Sequence, residues 1–353
     1  MKLLITGGCG FIGSAVVRTA IARGHSVINL DALTYAANPA NLASVERSDA
    51  YTFQHADLRN YRAVWQAFAD HAPNAVIHLA AETHVDRSID RPGIFVETNV
   101  DGTANLLSAA RKFLAGRNEA QNRAFRFLHV STDEVYGTLG PEDSAFTEDS
   151  PYRPNSPYAA SKAAADMMVR AWHHTYGLPT IISNCSNNYG AFQNPEKLIP
   201  TVILNALQDR SIPVYGDGSN VRDWLHVDDH ADALFAMLER GQPGQTYNIG
   251  GNAERSNIDL VRAICAELDR QKPQSAPHDR LIGFVEDRPG HDFRYAIDAS
   301  KARRELGWQS RRNLEAGISQ TINWYLENQA WVEMSLSRLP EAKRFARLGL
   351  AER

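Results

Sequence analysis

Apolar residues follow two patterns along the chain. In short runs such as KLLIT, SVINLD, AVIHLAA, RFLHVS and TIISNC, apolar residues cluster at adjacent positions without strict alternation. Between these runs, apolar positions recur every three or four residues. Strands buried on both faces give the first pattern, and amphipathic helices give the second. The runs predict strands at 2–6, 26–31, 51–57, 75–81, 126–131 and 180–185. The stretches between them predict helices at 13–23, at about 60–71, from Pro92 to about 115, and at about 157–176. This alternation predicts βαβ units and a mainly parallel sheet. The segments ALTYAANPANL and GPEDSAFTEDSPYRPNSP read as loops.

Beyond Cys185 the pattern loosens. Pro and Gly punctuate shorter elements in IPVYGDGSN, QTYNIGGN and EDRPGHD. Helices are predicted at about 228–240, 257–269 and 313–328. The chain therefore divides into a sheet domain over 1–185, a smaller α/β lobe over 186–325, and a tail over 326–353. Segments at about 200–240 are expected to return to the sheet domain. The last twenty or so residues read as a solvated helix.

Composition narrows the function classes. The 353 residues can hold one large core with a lobe attached, or two domains. The formal net charge is −4 and no long basic block occurs, which argues against nucleic acid and anionic membranes as partners. No apolar run approaches the roughly 20 residues that span a bilayer. The first residues lack the pattern of a secretory signal, so a cytoplasmic location is expected. Cys9, Cys185 and Cys265 are widely spaced and read as buried thiols, not zinc ligands. His226 and His230 have helical spacing for a metal. However, Asp228 or Asp229 reads as a helix cap, which puts His226 before the helix; no metal is expected.

Two constellations carry chemistry. Gly7, Gly10 and Gly13 lie between the first strand and the first helix. A loop of this kind brings backbone close to a pyrophosphate, and the helix N-terminus faces its charge. Asp31 ends the second strand, where a carboxylate accepts from ribose hydroxyls and repels a 2′-phosphate. NAD is therefore favoured over NADP. Asp57 and Leu58 end the third strand. They read equally as a cap with a core residue or as flanks for an adenine. Further on, Tyr158 and Lys162 share one face of a helix. Ionising a phenol near neutrality costs about 4 kcal/mol. One positive charge at ~4 Å in an effective dielectric of about 20 offsets a cost of that order.

With these residues in place, the chain resembles the extended short-chain dehydrogenase/reductase family, which acts on nucleotide sugars. The resemblance implies a Rossmann-type, doubly wound, seven-stranded sheet with a small substrate lobe, bound NAD and a homodimer. The helices at about 92–115 and 157–176 would pair with their copies. It also implies that Thr132 hydrogen-bonds the reacting hydroxyl, and that Phe11, Ile12, Leu79, Ala80, Ala81, Thr98 and Asn188 complete the NAD site.

Asp133 and Glu134 follow Thr132 in STDEVYG. Alcohol oxidation by Tyr158, Lys162, Thr132 and NAD needs neither acid. A 4-ketone, however, acidifies C5–H, and loss of the C6 hydroxyl then calls for one base and one acid. Adjacent carboxylates suit this, because like charges keep one of them protonated. STDEVYG, together with LAAETHVDRSI, NCSNNYGAFQNPEKLIP and VYGDGSNVRDWLHVDD, is similar to the 4,6-dehydratases of this family over roughly residues 1–325. That resemblance implies dTDP-glucose as substrate, Asp133 as the acid to the C6 oxygen and Glu134 as the base at C5. It further implies substrate contacts from Thr83, Asn187, Lys197, Leu198, Pro213, Tyr215, Arg222 and Asn257, with Arg288 and His291 near the diphosphate. Arg222 is read in a Gly-rich loop and Arg288 in a Pro-Gly turn. Thr83 stands where Ser is more usual, and Ala191 where Pro is. A UDP, CDP or GDP sugar as substrate, a 4-epimerase and a non-catalytic dinucleotide sensor are the rival readings. Successive strand residues face opposite ways. Both acids can therefore serve one sugar only if the strand ends by about Ser131 and the chain turns at once.

Overall fold

A computed structural model describes residues 1–338. The first half alternates strand and helix: β1 (Lys2–Thr6), α1 (Phe11–Ala22), β2 (Ser26–Asp31), β3 (Tyr51–His55), α2 (Tyr61–His71) and β4 (Ala75–His78). Then come α3 (Val85–Asp90), α4 (Pro92–Phe95), α5 (Gly102–Ala115), α6 (Glu119–Ala124), β5 (Arg126–Thr132), α7 (Pro157–Tyr176) and β6 (Thr180–Cys185). The chain continues through β7 (Asn187–Tyr189), α8 (Leu198–Leu207), β8 (Ile212–Tyr215), β9 (Val221–His226), α9 (Val227–Arg240) and β10 (Thr246–Ile249). It closes with β11 (Glu254–Ser256), α10 (Asn257–Gln271), β12 (Ile282–Val285), α11 (Ser300–Leu306), α12 (Leu314–Glu327) and α13 (Gln329–Ser337).

Seven parallel strands form the main sheet in the order β10-β6-β5-β4-β1-β2-β3. The strands are apolar at successive positions because both faces are covered. Leu3 and Ile5 pack in the layer that includes α1 and α9, while Leu4 between them packs with α2 and α5. α7 is bounded by local chemistry. The Ser156 hydroxyl accepts from the Ala159 amide, Pro157 opens the first turn, and Gly177 ends the helix in the left-handed region at φ 67°.

The lobe has its own core. α8, α10, α12 and α13 supply Ile199, Val202, Leu260, Ile264, Ile318 and Trp331. These pack beside a three-stranded sheet (β11-β9-β7) and a parallel pair (β12-β8). α9, β10 and α11 return to the main sheet, whereas α8 stays with the lobe.

Several readings of the sequence are revised. β3 and β4 end at His55 and His78, short of residues 57 and 81. The seventh strand, β10, lies in QTYNIGGN, which looked like lobe punctuation. The helix expected from Pro92 to about 115 is interrupted by a π-helical turn over Val96–Asp101. Side-chain bonds of Asn99 pin this widened turn: it accepts from the Glu82 amide at 2.8 Å and donates to Glu82 O at 3.0 Å and to Ser161 Oγ at 2.9 Å. The start of the expected solvated tail is in fact packed. α13 buries Trp331 and Val332, and Trp331 Nε1 donates to Asn41 Oδ1 at 2.8 Å. The rest of that tail, 339–353, lies outside the described residues.

Candidate active site

A cleft of about 380 Å³ runs along the carboxyl ends of the central strands and is walled on the far side by the lobe. Its first half is a dinucleotide cradle. Gly7 has φ +73°, and a Cβ there would sit 2.8 Å from Ala80 backbone. A Cβ on Gly13 would lie 2.0 Å from Gly7 O, so only glycine lets α1 start this close to the loop. Asp31 is buried. Its Oδ2 accepts from the Cys9 amide at 2.9 Å and its Oδ1 from the Leu33 amide at 2.8 Å. Each oxygen keeps a second lone pair, which suits ribose hydroxyls. Asp57 lines the cleft and accepts from the Arg59 amide at 2.9 Å, while the cap of α2 is Asn60, whose side chain accepts from the Ala63 amide. Gly10, Phe11, Ile12, Leu58, Leu79, Ala80, Ala81, Thr98 and Asn188 line the same half. Among the described residues no His/Cys/Asp/Glu group has the arrangement of a metal site. His226 caps α9 and does not sit on it.

The chemistry gathers where β5 ends. β5 runs one residue past Ser131, to Thr132, and a 3₁₀ turn over Asp133–Tyr136 follows at once. The two acids therefore leave the strand's alternation and share a turn. The Thr132 hydroxyl donates to Asp133 Oδ1 at 3.3 Å and accepts from the Glu134 amide at 3.3 Å, and Thr132, Glu134 and Tyr158 all line the cleft. Asp133 is only 1 % exposed and lies just behind the lining, whereas Glu134 lines the cleft.

Their surroundings separate the two acids. Burial pushes the Asp133 carboxyl well up, and the charges of Glu134 and Asp223 add to this. Burial also raises Glu134, but Arg288, Arg222 and Lys197 pull it back. Burial thus favours the neutral form of Asp133, while Glu134 has cations beside it that oppose the same effect. Burial and the Glu134 charge push the Tyr158 phenol up, with Thr132 opposing; this runs against the lowering by Lys162 that the sequence led one to expect, because burial outweighs the charges around the phenol.

Lys162 Nζ donates to Val130 O at 2.8 Å, which fixes a buried ammonium under the site. Burial lowers its pKa, and Asp166, one turn further along α7, is the foremost charge that raises it. Asp166 Oδ2 accepts from Ser131 at 2.8 Å and Tyr152 at 3.0 Å, and Oδ1 lies 3.1 Å from His129 Nε2. Burial pushes Asp166 up to about 6, so it is mostly ionised at neutral pH. Asp166→Asn is therefore expected to remove the counter-charge and lower the pKa of Lys162. The alkaline limb of the kcat/KM profile should then move to lower pH, with activity at pH 9 falling about tenfold more than at pH 7. A uniform loss with an unmoved limb would mark Asp166 as a packing group only.

Residues after β4 and from the segment 187–198 meet in the other half of the cleft. Thr83, Asn187, Lys197 and Leu198 line the cleft, and Lys197 Nζ donates to Thr83 O at 3.4 Å. Pro213, Tyr215, Arg222, Asn257, Arg288 and His291 are not part of that lining and come from the lobe beside it. Tyr215 Oη donates to Asp86 at 3.3 Å, and Arg288 Nη1 lies 4.0 Å from the same carboxylate. His291 Nδ1 contacts Asp287 at 2.6 Å. Asn257 opens α10. Arg222 is not in a loop but on β9, paired with Arg255 of β11 and buried against the Tyr295 ring at 4.2 Å. The glycines of GDGSN end just before β9, so the arginine is fixed by a ladder and not by a turn.

Sequence reasoning missed Asp86, Asp166, Glu82 and Glu196. Glu82 and Glu196 line the cleft. Asp86 lay in a quoted segment, LAAETHVDRSI. Asp166 follows Lys162 by one helical turn, the one signal that pointed to it.

The comparisons agree with this geometry. A family model described as GDP-mannose 4,6 dehydratase matches residues 4–321. The dTDP-glucose 4,6-dehydratase of Shigella flexneri is 54% identical over 342 residues, covering 94% of this chain and 95% of its own. That of Escherichia coli is 52% identical over 365 residues, with 100% of both chains covered. Among solved structures, a dTDP-glucose 4,6-dehydratase of Streptomyces venezuelae with NAD and dTDP bound superposes with a TM-score of 0.86 at 43% identity, over 95% of this chain and 100% of that one. An NAD complex of UDP-glucose 4-epimerase from Thermus thermophilus follows at 0.81 and 29% identity, over 93% and 100%. With most of its length matched by the family model and its curated relatives more than half identical, the chain belongs to the nucleotide-sugar 4,6-dehydratase family.

Proposed function

We propose that the chain dehydrates dTDP-glucose to dTDP-4-dehydro-6-deoxyglucose with bound NAD. What supports this is the turn after β5, which puts Asp133 and Glu134 side by side next to Thr132, with burial raising Asp133 and the charges of Arg288, Arg222 and Lys197 opposing that rise at Glu134. An epimerase has no use for that pair. Gly7, Gly10, Gly13 and Asp31 would hold NAD, which when bound would supply a reversible hydride acceptor.

The chain's residues move the protons. Thr132 orients the 4-hydroxyl, and Tyr158, with the Lys162 ammonium below, takes its proton. The resulting 4-ketone acidifies C5–H, and Glu134 removes that proton. Asp133 protonates the C6 oxygen, which leaves as water. Glu134 then returns a proton to C5. Arg222, Arg288, His291 and Lys197 hold the diphosphate end, and Asn187, Thr83, Asn257, Tyr215, Pro213 and Leu198 enclose the rest of the nucleotide sugar. Arginine forks suit phosphate, and the lobe cations hold Glu134 ionised as well.

The chain is proposed to work as a homodimer. Val96, in the π turn between α4 and α5, and Met167 of α7 expose apolar side chains on the helical face expected to pair. No described helix is long and apolar enough to cross a membrane.

Incubation with dTDP-glucose in heavy water, without added NAD, tests the reading by product mass. The expected product has lost water and carries deuterium at C5. An unchanged sugar or a simple C4 epimer would overturn it.

A further inference from the structure

α13, the last helix among the described residues, reaches back to the cofactor half of the cleft. It packs in the lobe core through Trp331 and Val332, yet three side-chain bonds run from it to the sheet domain. Trp331 Nε1 donates to Asn41 Oδ1 at 2.8 Å, and Ser335 Oγ accepts from Asn38 Nδ2 at 3.0 Å. Arg338, at its end, donates through Nη1 to Ala37 O at 3.1 Å. All three partners lie in the connection that follows β2, over residues 32–42. Its regular part is a 3₁₀ turn over Pro39–Leu42, and Leu33 sits at φ 52°. Thr34, Ala36 and Ala37 of the same connection line the cleft beside Asp31.

The contacts continue inward. Asn41 Nδ2 donates to Cys9 O at 3.1 Å, and the Asn38 amide donates to the same oxygen at 2.9 Å. Cys9 belongs to the glycine loop, and its amide donates to Asp31 Oδ2 at 2.9 Å. Trp331, Asn41, Cys9 and Asp31 therefore form one buried line, from the lobe core to the carboxylate read as the ribose anchor. The Trp331 ring also packs on Phe192 at 5.8 Å, and Gln193 and Asn194, which follow it, line the cleft. Arg18 of α1 ties the two segments together. It donates to Asn41 O at 2.8 Å and lies 4.5 Å over the Phe192 ring.

Resting on the dehydratase reading, we propose that α13 is a clasp on the cofactor site. Trp331 and Ser335, acting through Asn41 and Asn38, are positioning residues that slow the release of NAD. The product differs from the substrate by one water, so the cofactor ends each turnover as it began and has no need to leave. Release requires the 32–42 connection to lift from the cleft. Lifting it breaks the bonds to α13, which is anchored in the core of the other lobe and does not follow. The clasp touches neither the sugar nor the reacting groups. It sets the residence of the cofactor and leaves the chemistry of a loaded site alone.

The rate of NAD release from the full chain tests this in wild type, Trp331→Phe, Ser335→Ala, the double variant and Ile264→Val. The last shortens a buried side chain of the same lobe core, on a helix that makes none of these bonds, and so reports lowered stability alone. Each protein is loaded with radiolabelled NAD and mixed with excess unlabelled NAD. Retained label is followed by rapid filtration, with thermal unfolding measured alongside. Trp331→Phe keeps a ring against Phe192 and loses the N–H donor, and Ser335→Ala loses one acceptor. Each should release label about fivefold faster than wild type, and the double variant roughly tenfold faster or more. With saturating NAD, kcat and KM for dTDP-glucose should match wild type. Ile264→Val should unfold at a lower temperature and still release NAD at the wild-type rate. Wild-type release from the double variant, or equally fast release from Ile264→Val, would overturn the clasp. Failure of wild type to bind NAD, or to release water from dTDP-glucose, would instead remove the reading beneath it.

Discussion

Tyr158→Phe is expected to lower kcat by roughly 10²–10⁴-fold and to abolish the early rise in reduced-cofactor absorbance on mixing with dTDP-glucose. The phenol oxygen is the one acceptor in place for the O4 proton. Burial and the Glu134 charge push the Asp133 carboxyl towards its neutral form, which suits it to give a proton and not to take the first one. Glu134 is ringed by Arg288, Arg222 and Lys197, which weaken it as a base for an alcohol. The ring itself packs edge-on against Phe95 at 6.3 Å, a contact phenylalanine preserves. Stability should therefore change by only about 1 kcal/mol or less, which thermal unfolding can verify. Rapid cofactor reduction in this variant would rule out tyrosinate as the first base.

Glu134→Gln should stop the reaction one step later. The amide keeps the shape of the side chain and cannot take a proton from C5. Reduced cofactor should still accumulate in the first turnover, because Tyr158, Lys162 and Thr132 are intact. Water loss should fall by roughly 10²–10⁴-fold, and in heavy water the sugar should gain no deuterium at C5. Neutralising this position also leaves Arg222, Arg288 and Lys197 without their shared counter-charge. KM for the anionic diphosphate should therefore not rise. Normal turnover would place the base elsewhere.

The sheet was legible where one rule decided the outcome. β1, β2, β5 and β6 are buried on both faces, so apolar residues sit next to one another in them, and a glycine follows β1, an acid ends β2 and an acid follows β5. β10 escaped because it has four residues, two of them the polar Thr246 and Asn248. Its place in the sheet is earned by pairing with β6 and not by its own pattern. The cradle and the Tyr158–Lys162 pair could be read because their partners are close in sequence. Asp166 could not, because His129, Ser131, Tyr152 and Asn184 reach it from three separate segments. Arg222 was misplaced for a related reason: the glycines beside it are local, whereas the strands that fix it begin at Asn187 and Glu254. The turn after β5 was inferred from chemistry, since two acids on one extended strand cannot meet one sugar, and it begins one residue later than that argument placed it.

The π turn over Val96–Asp101 makes this stretch more sensitive to length than to composition. A wide turn of this kind takes up its extra residue within itself. Deleting one residue here would let the helix close into ordinary α geometry while the segments on either side keep nearly the same facing. The loss would fall on the turn itself: the positions of Thr98 at the cleft and of Asn99 against Glu82 and Ser161 would shift. Substitutions along the outer side of the helix leave this geometry alone. A natural or engineered variant one residue shorter would keep its helical content and lose the ties that this turn makes to Glu82 and α7.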